Sequence, residues 1–168
     1  MKISHLLASK KVGISCEIFP PKKGGELTNA FDIVHQIAAD GSEFISVTYG
    51  AGGTTAGETV AIASEIEKSG VPALAHLTCI NTDEAKVESV LAALKAHRIE
   101  NVMALRGDRL PGFAGETPVF LHASDLVKKI KATGDFCVGC ACHPLRHPEA
   151  GSLNQDIENT KIKFDARC

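Results

Sequence analysis

The chain has 168 residues, of which 44% are hydrophobic, so it is long enough to bury a sustaining core as one domain. Its 18 basic and 20 acidic side chains leave a formal charge of -2, with no run of like charges that would bind nucleic acid or a membrane surface. No apolar stretch approaches the roughly 20 residues that span a bilayer, and the N-terminus lacks the apolar segment of a secretory signal. We therefore expect a cytoplasmic protein that binds neither nucleic acid nor membranes.

Strand-like and helical segments alternate from the N-terminus onward. Residues 12–19 predict a strand that Pro20 and Pro21 end, because proline supplies no donor to a strand ladder. A helix ending at Gly41 follows, with apolar residues at helical spacing at Leu27, Phe31, Val34 and Ala38.

The second and third predicted strands cover residues 43–49 and 71–77. The glycine-rich loop Gly50 to Gly53 follows the second strand, and it lacks the spacing of a dinucleotide fingerprint and the lysine of a phosphate-binding loop. Thr55 with Glu58 predicts a capping box at the start of the next helix, which ends at Gly70. Asn81 or Thr82 is expected to cap the third helix, whose apolar face is formed by Val87, Val90, Leu91 and Leu94.

The fourth strand, residues 101–105, ends abruptly in Arg106-Gly107-Asp108. After a longer loop, the pattern predicts a helix around Leu126, a fifth strand over 136–142 and a final helix over 153–168. Five strand-helix units in strict alternation predict a parallel sheet with right-handed crossovers, either an open sheet or part of an eight-stranded barrel.

Polar and histidine-bearing segments follow the carboxyl ends of these strands. Since such ends lie on one side of a parallel sheet, they would gather a site-like set of groups around one mouth. Glu17 is flanked by apolar residues, so its expected burial would raise its pKa toward that of a general acid usable near neutral pH. His76 has an equal alternative reading as a hydrogen-bonded core histidine, and His147 as loop surface.

The six cysteines are expected to be reduced thiols, because no export signal is present and several lie in strand-like runs. Cys137, Cys140 and Cys142 with His143 have a spacing that could ligate zinc or an iron cluster. Strand alternation places Cys137 and Cys140 on opposite faces, however, so we favour a strand of small residues packed between helices and expect no metal.

Five segments together resemble methylenetetrahydrofolate reductases, and they occur in that family's order over nearly the whole chain. They are Glu17-Ile18-Phe19-Pro20-Pro21-Lys22, Val47-Thr48-Tyr49-Gly50-Ala51-Gly52-Gly53, Ala75-His76-Leu77-Thr78-Cys79, Ala104-Leu105-Arg106-Gly107-Asp108 and His147-Pro148-Glu149-Ala150.

The resemblance implies a (β/α)8 TIM-barrel fold, of which residues 1–168 form one domain of about five parallel βα units. It further implies FAD at the carboxyl ends of the strands. NAD(P)H would reduce the flavin, which would then reduce 5,10-methylenetetrahydrofolate to 5-methyltetrahydrofolate. The family's three further strands carry a glutamine for the folate and an aromatic residue for stacking.

By the same resemblance, Glu17 matches the family's general acid, and Asp108 matches an aspartate near the flavin and the pterin. The residues that match FAD-contacting positions are Thr48, His76, Leu105, Arg106, Gly107, Asp108, Ala123, His147, Asp156 and Lys163.

The sequence departs from the family at four positions: His122 and His143 replace tyrosines, Leu145 replaces a glutamate and Arg167 replaces a glycine. Five strands would leave two open sheet edges, which a homo-oligomer or a second chain completing the barrel would cover. The alternatives to an active reductase are an inactive flavin- or folate-binding module, half of a split enzyme, or a cysteine-ligated metal or redox subunit.

Overall fold

A computed structural model gives the structure of residues 1–9, 13–21, 26–50, 55–108 and 119–168. Helices and strands alternate after a short N-terminal helix. In chain order they are α1 (Ile3–Ser9), β1 (Ser15–Ile18), α2 (Leu27–Ala39), β2 (Phe44–Val47), α3 (Ala56–Lys68), β3 (Ala73–Thr78), α4 (Glu84–Ala96), β4 (Asn101–Leu105), α5 (Ala123–Thr133), β5 (Cys137–Cys140) and α6 (Leu153–Asp165).

The five strands form one parallel sheet in the order β1-β2-β3-β4-β5. Each strand therefore pairs with the strand that follows it in the chain, as in part of a barrel. One continuous row across the sheet joins Ile18, Val47, Ala75, Val102 and Val138. The predicted α/β fold, a TIM-barrel type with five parallel βα units, is confirmed.

The two faces of the sheet differ in what covers them. The row that contains Val47 and Val102 packs under the helices, where Ile62, Leu91 and Leu126 are fully buried. Each such side chain contributes about 1.5–3 kcal/mol through removal from water. The opposite face carries Glu17, Ser46, His76 and other side chains at alternate positions, and we call it the open face. The segments that follow the carboxyl ends of the strands, here called the strand exits, begin beside it.

Four of the described helices are followed, directly after the cap, by a residue with positive φ. Glycine occupies this position after α2 (Gly41) and α3 (Gly70), but Arg98 (φ 60) and Arg167 (φ 73) occupy it after α4 and α6. After α2, α4 and α6 the next residue also donates its N–H back to the helix, as Ile99 does to the Leu94 carbonyl at 3.0 Å.

One predicted helix cap is wrong, and one predicted capping box is not formed. The cap of α4 is Asp83, whose side chain accepts from the Lys86 N–H, rather than Asn81 or Thr82. Thr55 does precede α3, but its side chain makes no capping bond, because its Oγ1 accepts from the Gly50 N–H at 2.7 Å.

Helix α1 had no sequence signal, and it docks at the amino end of the sheet. The Ile3 N–H donates to Asn101 Oδ1 at 2.8 Å, and Asn101 Nδ2 donates to the Met1 carbonyl at 3.1 Å. Ile3 and Leu6 are buried there. The N-terminal segment therefore closes the end of the sheet opposite the strand exits.

Three sequence features lie outside the described residues. They are the predicted start of the first strand at residue 12, the glycine-rich loop over 51–54, and the prolines and glycines of the long loop over 111–118. Among the helices that the structure describes, none is long and apolar enough to cross a membrane.

Candidate active site

The strand exits bring Glu17 together with two polar side chains from neighbouring strands. Glu17 Oε2 lies 3.2 Å from Ser46 Oγ, which donates to it, and 3.5 Å from His76 Nε2. Glu17 and Ser46 are register partners, and His76 lies two residues beyond Ser46's own partner on β3. The three groups therefore share the open face of the sheet.

The expected burial of Glu17 is wrong. Its side chain is 43% exposed, whereas the next residue, Ile18, is buried. The cause is strand alternation, because Ile18 points toward the helices and Glu17 points to the open face. Its carboxyl group is therefore accessible to a ligand from solution.

His76 is the buried member of the set, with its side chain only 13% exposed. Burial lowers the pKa of the imidazole from its ordinary value of 6.5, and the negative charge of Glu17 partly opposes this. The ring is therefore neutral near pH 7, and its contact with Glu17 is a polar contact of a neutral imidazole rather than an ion pair.

Arg106 ties the exit of β4 to the exit of β5. Its guanidinium donates to both carboxylate oxygens of Glu149, at 2.6 and 2.7 Å. This bidentate bond raises the pKa of Arg106, with smaller contributions from the charges of Glu149 and Asp108. The Arg106 carbonyl also accepts from the N–H groups of Cys79 and Ile80, at 3.1 and 2.9 Å.

Gly107 is required at the turn after β4. Its φ is +80°, and a Cβ placed there would lie 3.0 Å from Thr78 Cβ. A side chain at this position would therefore combine an unfavourable backbone conformation with a close contact. The backbone around Gly107 can approach a ligand closely for the same reason.

Asp108 is exposed, and the neighbouring loop holds its backbone in place. Asn81 Nδ2 donates to the Asp108 carbonyl at 2.7 Å. The side-chain oxygen of Asn81 is buried and has no hydrogen-bond partner among the described residues. A buried acceptor without a donor is costly, so this corner retains an acceptor for a ligand.

The exit of β5 is organised around His147. Its N–H donates at 2.9 Å to the buried carboxylate of Asp156, and its Nδ1 accepts from the Glu149 N–H at 3.1 Å. The rings of His143 and His147 lie 4.7 Å apart. The loop is therefore held against the amino end of α6, where Asp156 lies in the first turn.

The remaining predicted site residues lie along the same edge. Leu105 is the last residue of β4 and Ala123 the first of α5. The Thr48 N–H donates to the Ile18 carbonyl at 3.0 Å, and Lys163 Nζ donates to the Ala141 carbonyl. Direct contacts thus join Glu17 to His76 and His147 to Asp156, while Lys163 contacts the backbone of the β5 exit.

Three residues of this site were missed as candidates. Ser46 contacts Glu17, Asn81 holds Asp108, and Glu149 pairs with Arg106. Ser46 could have been recognised, because a serine interrupts an otherwise apolar strand. Glu149 could also have been recognised, because it lies in the motif His147-Pro148-Glu149-Ala150. Asn81 had none, because its partner is 27 residues away.

The cysteines do not assemble a metal site in the part of the chain that the structure describes, where no three His, Cys, Asp or Glu side chains are placed to hold an ion. Cys137 and Cys140 pair with Asn101 and Ala104, at positions of opposite strand parity, as predicted. All six cysteines are free thiols.

Both the sequence and the fold are similar to those of known proteins. The profile of the methylenetetrahydrofolate reductase family matches residues 2–167. A 5,10-methylenetetrahydrofolate reductase of Pectobacterium carotovorum subsp. carotovorum is 34% identical over 93% of this chain and 52% of its own length. A probable methylenetetrahydrofolate reductase (NADH) of Oryza sativa subsp. japonica is 38% identical over 98% of this chain and 30% of its own length.

The chain thus spans about half the length of the bacterial relative. Among solved structures, 2,3-dimethylmalate lyase matches with a TM-score of 0.64 and 9% identity, covering 100% of this chain and 61% of that chain. At this identity the match concerns the fold alone.

Proposed function

This chain belongs to the methylenetetrahydrofolate reductase family, and from that premise we propose that its open sheet face binds FAD and folate in the reduction of 5,10-methylenetetrahydrofolate to 5-methyltetrahydrofolate. The observation that carries the proposal is the position of Glu17. An accessible carboxyl group contacts Ser46 and His76 on the same face from which the Arg106-Gly107-Asp108 turn departs.

The residues present fit a flavin at this edge. Asn81 offers a buried acceptor that has no partner among the described residues, and the turn at Gly107 has no side chain that would keep a ligand from the backbone. Leu105 and Met103 are partly buried apolar groups on the open face. The residues that would hold FAD are Thr48, His76, Leu105, Arg106, Gly107, Asp108, Ala123, His147, Asp156 and Lys163.

When bound, FAD supplies hydride transfer from NAD(P)H to the one-carbon unit of the folate. In this proposal Glu17 is the proton donor that assists opening of the folate ring to the reactive cation. Ser46 orients the carboxyl through its 3.2 Å hydrogen bond, and His76 contacts the same oxygen. The neutral imidazole therefore adds no positive charge that would oppose a cationic folate.

Asp108 and Arg106 determine the charge at the exit of β4, on the far side of the open face from Glu17. The exposed carboxylate of Asp108 would favour positive charge developing on the folate, since opposite charges attract most strongly where water is excluded. Glu149 accepts two hydrogen bonds from the Arg106 guanidinium and offsets its positive charge. Arg106 is thus proposed to position the flavin-side loop.

The proposal is tested by titrating the purified chain with FAD and following flavin absorbance and fluorescence, first for the wild type and then for Glu17→Gln. Both should bind FAD with similar affinity, because the substitution keeps the shape of the side chain. Folate reduction should fall by about 100-fold or more in Glu17→Gln, as expected for loss of a general acid.

Glu88→Gln is the matched control, because Glu88 lies on α4 and pairs with Lys129 away from the open face. Absence of FAD binding to the wild-type chain would overturn the flavin proposal, and unchanged turnover in Glu17→Gln would overturn the role of Glu17.

A partner chain is a further part of the proposal. Within the described residues β1 and β5 each pair on one side only, and α6 exposes Leu153, Ile157 and Phe164. Turnover is therefore measured with the chain alone and with a second chain carrying the remaining strands of a relative. FAD binding without turnover in both cases would favour the inactive binding module.

A further inference from the structure

The segment that follows β3 holds the turn that follows β4 through consecutive hydrogen bonds. The N–H groups of Cys79 and Ile80 donate to the Arg106 carbonyl at 3.1 and 2.9 Å. Asn81 Nδ2 donates to the Asp108 carbonyl at 2.7 Å. Both ends of the turn are therefore fixed by the neighbouring strand exit.

The middle of the same turn is held as well. The Gly107 carbonyl accepts from Arg106 Nε at 3.2 Å. A Cβ at Gly107 would lie 3.0 Å from Thr78 Cβ, so the turn packs closely on the last residue of β3. Each of the three carbonyl groups of the turn thus accepts a hydrogen bond, and the bond to Asp108 comes from the side chain of Asn81.

The orientation of the Asn81 amide follows from its bond to Asp108. A carbonyl group can only accept, so the amide atom that faces the Asp108 carbonyl must be the nitrogen. The amide oxygen points elsewhere, and it is buried without a hydrogen-bond partner among the described residues. A buried acceptor without a donor costs free energy. The amide is therefore held on Asp108 at a cost to stability.

Helix capping does not explain this arrangement. Asn81 lies two residues before the N-cap of α4, and Asp83 fills the capping role by accepting from the Lys86 N–H at 2.7 Å. Asp108 is exposed, so water could hydrate its carbonyl if the amide were absent. A polar group that is retained at a cost to stability, with no structural need for it, is expected at a functional site.

We propose that Asn81 is a positioning residue, which fixes the backbone at Asp108 so that the Asp108 carboxylate stands where positive charge develops on the folate. This role rests on the proposed function, whereas the hydrogen bond itself does not. A charge that stabilises a transition state is effective when it is held in place beforehand, because a mobile charge must first be reorganised. The Asn81 amide supplies that restraint to an exposed residue.

Asn81→Leu separates a positioning role from a structural one. Leucine is similar in shape to asparagine, but it has neither the donor that holds Asp108 nor the buried acceptor. The thermal midpoint of the full chain should therefore stay within about 2 °C of the wild-type value or rise. Asp83→Ala is the matched control, because it removes the cap of the helix that follows the same loop. Its midpoint should fall by roughly 2–6 °C.

Backbone order in the turn is the direct measurement of positioning. In the wild-type chain the NMR order parameters of the Gly107 and Asp108 N–H groups should lie near about 0.85, and in Asn81→Leu they should fall below about 0.6. Asn81→Asp should show the same loss of order, because an ionised carboxylate cannot donate to the Asp108 carbonyl. Asp83→Ala should keep the wild-type order.

Turnover is measured in the complex with a second chain that carries the remaining strands of a relative. There Asn81→Leu should lower kcat by about 10-fold or more and leave the KM for the folate within about 2-fold. This is the pattern expected when an interaction acts in the transition state rather than in binding. Asp83→Ala should leave both constants within about 2-fold.

Unchanged order parameters in Asn81→Leu would overturn the positioning role. So would a midpoint that falls as far as in Asp83→Ala, because the bond would then serve stability. Loss of order with unchanged kcat in an active complex would show that Asp108 need not be held, which also overturns it. If the wild-type chain binds no FAD, the proposed function fails, and the order parameters alone decide whether Asn81 positions Asp108.

Discussion

The contact between Glu17 and His76 joins an exposed acid to a largely buried base, and their environments separate their roles. His76 stays neutral near pH 7 because burial outweighs the attraction of Glu17 for a proton on the ring. Glu17 remains open to solution and is held by Ser46. The carboxyl group is therefore the member of the pair that a ligand can reach, and the imidazole serves as its neighbour.

Removing the charge of Glu17 should change how His76 titrates. In Glu17→Gln the pKa of His76 should fall further below 6.5, because the one group that raises it has been neutralised. An NMR titration that follows the His76 ring carbons would measure the shift. Glu149→Gln is the control, since Glu149 pairs with Arg106 instead, and an upward shift in Glu17→Gln would contradict the assignment.

The same lowered pKa has a consequence for stability. Below pH 6.5 the unfolded chain binds a proton at His76 before the folded chain does, so the free energy of unfolding decreases as the pH falls through this range. Glu17→Gln should enlarge that decrease, which a series of denaturant titrations from pH 7 to lower pH would detect.

Residues at the strand exits could be named from the sequence, but their exposure could not. The apolar flanks of Glu17 suggested a buried acid, whereas one face of its strand is open. Exposure depends on what covers the second face of the sheet, and the local pattern of residues does not contain that information.

At the level of elements, arginine occupies two helix-ending positions that favour glycine. Arg98 and Arg167 both have positive φ, which costs a residue with a Cβ about 1 kcal/mol relative to glycine. Gly41 fills the corresponding position after α2. The ends of α4 and α6 are therefore less stable than they would be with glycine at these positions.

Arg98→Gly and Arg167→Gly should each stabilise the chain by about 0.5–1 kcal/mol through relief of the unfavourable backbone conformation. The greater flexibility of glycine in the unfolded chain subtracts from this gain. Thermal or denaturant unfolding would measure the change. Gly41→Ala, the reverse substitution at a position where no atom of the described residues lies within 4 Å of the new Cβ, should destabilise by a similar amount. If either arginine variant were less stable than the wild type, a contact of that arginine would have to outweigh the backbone term.

The order of helices and strands was readable because each has an apolar face of characteristic period, as in α4 with Val87, Val90, Leu91 and Leu94 buried. The residue that caps α4 could not be predicted, because Asn81, Thr82 and Asp83 are consecutive and each is a suitable N-cap. Asn81 is drawn to Asp108 on the next strand exit, which leaves the capping role to Asp83. The hydrogen bond from Asn81 to Asp108, which is distant in the sequence, therefore determines which of the three residues caps the helix.

On the scale of the whole molecule, Asn101 links three separate segments. Its side chain is fully buried, accepts from the Ile3 N–H and donates to the carbonyls of Met1 and Ala73. The seven residues of α1 are too few to form a stable helix alone, so their position depends on this side chain. For this reason no local pattern of residues predicts α1.

Asn101→Ala should lower the free energy of unfolding by about 2–4 kcal/mol, because it leaves buried backbone groups without partners. Hydrogen exchange should also accelerate across residues 3–9. Glu100→Gln is the control, since it removes only the exposed ion pair with the N-terminal ammonium and should cost under about 1 kcal/mol. Equal effects of the two variants would show that Asn101 does not hold α1.

The docking of α1 on Asn101 also bears on how the chain folds while it is being synthesised. Every strand pairs with its successor, so each βα unit can join the sheet soon after it leaves the ribosome. The first helix cannot do so, because its partner lies 98 residues later in the chain. The hydrogen bond between Ile3 and Asn101 therefore forms only after the fourth strand has emerged, so α1 reaches its final position later than the elements that follow it directly in the chain.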